Sequence, residues 1–333
     1  MSAEEVGVIL PQEETVAETP PIESGREYDL IIVGAGPAGL TAGVYAARKM
    51  LNTLLVSEDV GGQLLLTSEV ENYLGFYYIE GTALVEKFEE QVRRHPIDID
   101  LGQKVSKVFL ADPPQKFRVL TESGKVFKSN TVIIATGKRS RELNVPGERE
   151  FVGRGVSYCA TCDAPLFARK DVAVIGGGNS AFVAVNDLLN IGATMIHVVN
   201  IVDSIQADAI LVDKTSNPAK LELHLGHEVV EIGGMGSRVA SITIRGRQSG
   251  ETKILEVEGV FIEIGLVPNS ELAKGLVKMN QWGEIITDCY ARTSTDGVFA
   301  AGDVTTVPEK QIIVAAGDGC KAALAAYAYL LHR

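Results

Sequence analysis

Two stretches of this chain, Asp29 to Glu58 and Asp171 to Asn200, align without a gap at an offset of 142 residues. Each opens with a short apolar run, Leu30-Ile31-Ile32-Val33 in the first and Val172-Ala173-Val174-Ile175 in the second. A run that is apolar at every position, rather than at alternate ones, suits a parallel strand covered on both faces. A glycine cluster follows at once, then a helix-length segment reaching about Lys49 in the first copy, then a further apolar run, Thr53-Leu54-Leu55-Val56. Parallel neighbours need such a crossover between them. Repetition of the unit therefore predicts two α/β sheets.

The glycines add chemistry. In Gly34-Ala35-Gly36-Pro37-Ala38-Gly39, Gly34 permits the tight turn, Gly36 lets the backbone approach a pyrophosphate, and Gly39 lets the helix lie close to the strand. This is the Rossmann dinucleotide pattern, and Glu58, 24 residues after Gly34, stands where an acid accepts hydrogen bonds from an adenosine ribose. The second copy, Gly176-Gly177-Gly178-Asn179-Ser180-Ala181, has Ala181 in place of the third glycine. Its ribose position is Asn200, beside Val198 and Val199, with no arginine nearby for a 2′-phosphate. The second turn is therefore a weak NAD(P) site through Gly176, Gly178, Asn179, Ser180 and Ala181. NADPH is doubtful there; NADH, or a vestigial turn that holds nothing, stays open.

At 333 residues the chain exceeds one comfortable core. A formal net charge of −12 argues against nucleic acid held by bulk attraction. No apolar run approaches the roughly 18 residues a bilayer needs, and no basic segment leads into an apolar one near the start. The expectation is a cytoplasmic protein with no membrane contact. Residues 1–27 are rich in glutamate and proline, with Arg26 the lone basic residue, and are expected to form a flexible acidic tail.

Immediately ahead of the second repeat lies Val156-Ser157-Tyr158-Cys159-Ala160-Thr161-Cys162-Asp163. Two sulfurs three residues apart can close into a reducible disulfide. A zinc half-site and a purely structural disulfide are the other readings of the pair. Zinc needs further ligands, and there is no second Cys-x-x-Cys and no pair at standard spacing among His95, His197, His224, His227 and His332. His224 and His227, three apart in a strand-like run, do not share a face. No metal is expected. Cys289, in a strand-like run, and Cys320, in an Ala-rich helix, read as ordinary buried thiols.

A third element lies near the end, where the apolar run Gly297 to Ala301 leads into Gly302-Asp303, followed by Gln311-Ile312 and a helix. An acid at such a strand end can bond a cofactor hydroxyl. Together with Gly61-Gly62-Gln63, Glu71-Asn72-Tyr73 and Ala135-Thr136-Gly137, these elements closely resemble the low-molecular-weight thioredoxin reductases and the related flavoprotein domain of alkyl hydroperoxide reductase, across nearly the whole chain after about residue 28.

The resemblance implies two Rossmann-like three-layer α/β domains, the second inserted into the first. An FAD domain would span 28–141 plus 267–333, and an insert carrying the Cys-x-x-Cys would span 142–266. Asn144-Val145-Pro146-Gly147 and Val267-Pro268-Asn269 supply turn chemistry at the crossings. The resemblance assigns Gly34, Gly36, Pro37, Ala38, Gly39 and Glu58 to the adenosine and pyrophosphate of FAD. It assigns Gly62, Gln63, Asn72, Thr136, Gly137, Gly302, Asp303, Gln311 and Ile312 to the rest of that cofactor. Cys162 would face the flavin as a charge-transfer thiolate, Cys159 would attack the partner's disulfide, and Asp163 would move the thiol proton.

Reductases of this kind that use NADPH carry an acidic pair, a His-Arg-Arg run and a further arginine. Here the corresponding positions look like Val183-Ala184, His197-Val198-Val199 and Gln206. The expected donor is accordingly NADH, reduced ferredoxin or another reductant. The expected partner is a thioredoxin- or glutaredoxin-like protein, and the expected assembly is a homodimer. A flavin dithiol oxidase and a non-enzymatic flavin redox sensor are the alternatives. A peroxiredoxin reductase is disfavoured, because only about 27 residues precede the first strand.

Overall fold

The structure is a computed structural model describing residues 22–67, 69–113, 116–215 and 218–332. β1 (Glu27–Ala35), α1 (Pro37–Arg48) and β2 (Thr53–Val60) form the first βαβ unit, with β1 and β2 parallel. α2 (Gly81–Arg93) leads to β3 (Asp98–Leu101), parallel to β2. An antiparallel meander of β4 (Val105–Leu110), β5 (Phe117–Thr121) and β6 (Val126–Ile134) then returns the chain so that β6 lies parallel to β1.

The chain next builds a second sheet. Its members are β7 (Val156–Ser157), β8 (Asp171–Ile175), β9 (Met195–Asn200), β10 (Leu221–Leu225) and, after a meander, the returning Gly259–Ile262. All their pairings are parallel, in the order β7, Gly259–Ile262, β8, β9, β10. α3 (Ala160–Asp163) precedes β8, and α4 (Asn179–Ile191) follows it. The meander consists of β11 (His227–Met235), β12 (Arg238–Gly246) and β13 (Thr252–Glu256). We label Gly259–Ile262 β14. The chain then returns to the first sheet, where β15 (Val298–Ala300) pairs with β6, and ends in the long α5 (Ile312–Leu331).

Both repeats are sandwiched in the same way. Leu30 and Ile32 pack with the alanines of α1 and α5, while Ile31 and Val33 pack with Phe117 and Phe127 of the meander side. Val172 and Val174 pack with α4, while Ala173 and Ile175 pack with β11 to β13. Side chains alternate across a strand, so an unbroken apolar run fills two cores at once. In the second domain the layer opposite the helices is antiparallel sheet rather than helix. The chain crosses between domains through one ribbon, Lys138–Ser140 antiparallel to Leu266–Pro268.

Residues 22–27, expected to belong to the acidic tail, lie against the first sheet. Ile22 is buried in the first core, the amide of Gly25 donates to the carbonyl of Val126, and Arg26 pairs with Asp98. The expectation for residues 1–21 lies outside the described residues. Cys289 is exposed rather than buried, because Asp288 Oδ1 accepts the amides of Tyr290 and Arg292 and bends the run into a turn. Cys320 is partly buried on α5.

Candidate functional site

β1 ends at a turn in which Gly34 has φ +105°, and a side chain there would meet the Ala135 carbonyl oxygen at 2.4 Å. A Cβ on Gly39 would lie 1.8 Å from the Gly34 carbonyl oxygen, so α1 rests directly on the turn. Gly36 differs: nothing lies within 4 Å of where its Cβ would stand. It is the N-cap of α1 and offers no side chain, so the first amides of the helix face the cleft unclaimed by any cap. The second turn repeats this arrangement, with Gly178 open and α4 likewise uncapped.

The first turn opens into a cleft of about 390 Å³. Every sequence-predicted flavin position lines it except Gly39, which is consumed in packing, and Glu58, which is exposed at the end of β2 between the lining residues Ser57 and Asp59. Ser57 Oγ accepts the amide of Ala35 at 3.1 Å, tying the two strand ends together. Across the cleft, Asn72 Nδ2 donates to Gln311 Oε1 at 3.3 Å, and Gln63 donates to the carbonyl of Lys138. Thr136 and Asn269 exchange hydrogen bonds of 2.6 and 2.9 Å beside the interdomain ribbon.

Cys159, Cys162 and Asp163 line the same cleft. The two cysteines form a disulfide with Cα atoms 5.3 Å apart, seated on the short α3. Ser157, two residues upstream on β7, donates to Asp163 Oδ2 at 2.6 Å and accepts the amide of Cys159 at 3.1 Å. The sequence contained a signal for Ser157, a lone hydroxyl on the strand leading into the pair, but gave it no role.

Three further groups escaped the sequence reading. Lys138 and Lys310 both line the cleft, and both pair with Glu284, at 2.5 and 3.5 Å. Burial, reinforced by the neighbouring Lys138, lowers the Lys310 ammonium, and burial raises the Asp303 carboxyl against the pull of Lys310. Glu263 follows β14, and its Oε1 accepts the amide of Ala160 at 3.4 Å, at the start of the dithiol helix. Burial pushes Glu263 up to about 7, despite that hydrogen bond. An acid ending the apolar run Val260 to Ile262 was its only trace in the sequence.

The second turn is overlaid by its own chain. A Cβ on Gly177 would meet Asn200 Nδ2 at 2.3 Å, and that amide donates to the carbonyl of Ser204 at 2.8 Å and to Gln206 Oε1 at 3.1 Å. Asn179 exchanges two hydrogen bonds with Asp208. Asn200, expected at a ribose position, is buried and committed to these partners. Gly176, Gly178, Asn179, Ser180 and Ala181 lie apart from the disulfide cleft.

The histidine spacing also proves misleading. β9 and β10 run parallel with Val199 opposite His224, which brings His197 Nδ1 to 3.3 Å from His224 Nε2. Burial lowers both imidazoles, His224 to about 4, against the opposing pull of Glu222. The pair is formed by strand register, a relation that residue spacing does not display.

The sequence profile of the pyridine nucleotide-disulphide oxidoreductase family matches residues 28–319. An alkyl hydroperoxide reductase of Pseudomonas aeruginosa is 43% identical over 306 residues, covering 92% of this chain and 58% of that protein. An NADH dehydrogenase of Bacillus subtilis is 43% identical over 305 residues, covering 92% and 59%. The chain thus spans about three fifths of the length of these curated relatives. Among solved structures, thioredoxin reductase from Streptococcus pyogenes superposes with a TM-score of 0.85 at 37% identity, covering 93% of this chain and all of that one. Thioredoxin reductase from Giardia duodenalis gives 0.84 at 33%, covering 92% and 99%. No helix among the described residues is long and apolar enough to cross a membrane. By profile, by sequence identity and by fold, the chain belongs to the pyridine nucleotide-disulphide oxidoreductase family, with the two-domain architecture of the thioredoxin reductases.

Proposed function

We propose that this chain is an FAD-dependent reductase of thioredoxin-like disulfides, fed by a donor other than NADPH. The supporting observation is that the Cys159–Cys162 disulfide shares one cleft with the flavin-type positions. FAD is the cofactor the family implies, and the residues fit it: the open Gly36 and the uncapped α1 suit its pyrophosphate, while Asp303, Gln311 and Thr136 offer polar groups further along. Bound there, FAD would supply a two-electron redox centre beside the disulfide.

The remaining chemistry belongs to the side chains. Two electrons and two protons convert the disulfide to the Cys159 and Cys162 thiols. Asp163 takes the Cys159 thiol proton, the Cys159 thiolate attacks the partner's disulfide to form a mixed disulfide, and the expelled partner sulfur receives that proton back from Asp163. Cys162 gives up its thiol proton through Asp163, its thiolate attacks Cys159 Sγ, and the second partner sulfur leaves as a thiol with that proton, restoring the Cys159–Cys162 bond. Ser157 holds the Asp163 carboxylate in place for these transfers. In this reading the bodies 28–141 plus 267–333 and 142–266 turn about the Lys138–Ser140 and Leu266–Pro268 ribbon, so that one disulfide meets cofactor and protein partner in turn.

NADH is the donor we favour. No arginine stands beside Asn200 to meet a 2′-phosphate, Asn200 itself being committed to Ser204 and Gln206, and two relatives are named NADH dehydrogenase. A second reading, delivery of electrons to a peroxide-reducing partner, is favoured by the 43% identity to a protein named for alkyl hydroperoxide reductase.

Anaerobic mixing of the purified protein with NADH, NADPH and reduced ferredoxin in turn, following flavin bleaching, tests the donor. NADH should bleach fastest, and equal rates with NADPH would refute the argument from Asn200. Cys162→Ser should keep its flavin and lose disulfide reduction. A colourless wild-type protein that cannot be reconstituted with FAD would end the proposal.

A further inference from the structure

The face of the second sheet that turns toward the β11–β13 meander carries a group of side chains that the dithiol chemistry leaves unused. In the register of β9 and β10, His197 stands opposite Glu222, and His224 follows two residues later on the same face. His197 Nδ1 lies 3.2 Å from Glu222 Oε2 and 3.3 Å from His224 Nε2, and His224 Nε2 lies 3.6 Å from Glu222 Oε1. Three candidate ligand atoms thus converge within 4.8 Å of one another. Bonds of about 2.0–2.1 Å in tetrahedral geometry put neighbouring ligand atoms about 3.3–3.4 Å apart. The His197–His224 and His197–Glu222 Oε2 separations match that edge, while the 3.6 Å contact of His224 is to the other carboxylate oxygen, Oε1, so a small turn of the Glu222 carboxylate completes the triangle.

We propose that His197 Nδ1, His224 Nε2 and a carboxylate oxygen of Glu222 are three ligands of a site for a divalent ion of the zinc class, with water completing the shell. Two imidazoles and a carboxylate with an open position form a borderline donor set of the kind such ions take. A simple hydrogen-bonded histidine pair uses one contact, whereas here a carboxylate oxygen also faces each ring. Lys253 Nζ approaches Glu222 Oε1 at 3.0 Å, so it competes for one oxygen and leaves Oε2 toward His197. His227 lies close by, with its ring centroid 6.1 Å from that of His224, while its Nδ1 lies 2.7 Å from the Leu225 carbonyl oxygen. An ion would tie β9 to β10 at the edge of the nucleotide domain, three residues from Asn200.

The test is calorimetric titration of the chelator-stripped, disulfide-oxidised full chain with zinc chloride, in a Cys289→Ser background so that the exposed thiol takes no part. One ion per chain is expected, with a rise in unfolding temperature. His197→Gln, His224→Gln and the half-exposed Glu222→Gln should each weaken binding about tenfold or more. Lys253→Met removes the competing cation and should bind at least as tightly as its parent. Absence of one-to-one binding in the parent, or unchanged binding in a folded His197→Gln/His224→Gln double variant, would overturn the proposal. Neither result depends on flavin or turnover, so failure here is separate from failure of the reductase reading.

Discussion

The hydroxyl of Ser157 donates to Asp163 Oδ2 at 2.6 Å while its oxygen accepts the amide of Cys159 at 3.1 Å, so one side chain links the acid to the dithiol backbone. If Asp163 moves the exchange proton, Asp163→Asn should slow reduction of a thioredoxin-like disulfide by about 10²-fold or more. Ser157→Ala should slow it roughly tenfold, the equivalent of one hydrogen bond to a charged group. Single-turnover reoxidation of chemically reduced protein reports both. Flavin content should stay at the wild-type level, and unaltered rates would remove Asp163 from the mechanism.

Two glycines of one motif should fail in different ways. Gly36 has extended backbone and open space at its Cβ, so Gly36→Val should fold normally yet retain at least about tenfold less flavin after desalting. Gly39→Ala forces a methyl into the Gly34 carbonyl and should destabilise the apoprotein by about 3 kcal/mol. Urea unfolding of both apoproteins, alongside flavin absorbance, distinguishes a ligand cradle from a packing contact.

Glu263 should give stability a pH dependence. Its carboxyl is held up to about 7 by burial, so between its ordinary range and neutrality the folded chain holds a proton that the unfolded chain has released. Stability from this group is therefore greatest at low pH and falls as pH rises through that window, by about 3 kcal/mol in total. Glu263→Gln, which still accepts the Ala160 amide, should flatten the slope and exceed the wild type at pH 8. Identical profiles for the two proteins would contradict this.

Glu148 anchors the chain as it enters the second domain. Its carboxylate is buried and accepts the amides of Leu143 and Asn144 and the hydroxyl of Tyr158, at 2.6 to 2.8 Å. Glu148→Ala leaves these donors unpaired and should cost about 3 kcal/mol, while Tyr158→Phe removes a single bond and should cost about 1 to 1.5 kcal/mol. Denaturant midpoints measured for both variants check the ratio.

Most of the flavin-type cleft was legible because its requirements are local. Gly34 and Gly36 sit where a strand turns into a helix, and backbone sterics there admit few alternatives. Glu58 is the exception: it occupies the expected position at the end of β2, yet Ser57 and Asp59 line the cleft on either side of it. A one-residue difference at a strand end selects which side chains face inward. Cys289 misled for a related reason, since an aspartate-capped turn overrode a strand-like run.

The duplicated run of apolar strand, glycine turn and helix was enough to dictate two parallel βαβ units, and the Cys-x-x-Cys spacing was enough to allow a reducible disulfide. Both follow from covalent geometry and side-chain periodicity acting over a few neighbours. Folding alone brought the disulfide to the flavin-type cleft, laid Asn200 across Gly177, gathered Lys138, Glu284 and Lys310, and set His197 against His224. Those meetings depend on strand register and domain docking, which are settled by cooperative burial across the whole molecule and leave no mark in the spacing of residues along the chain.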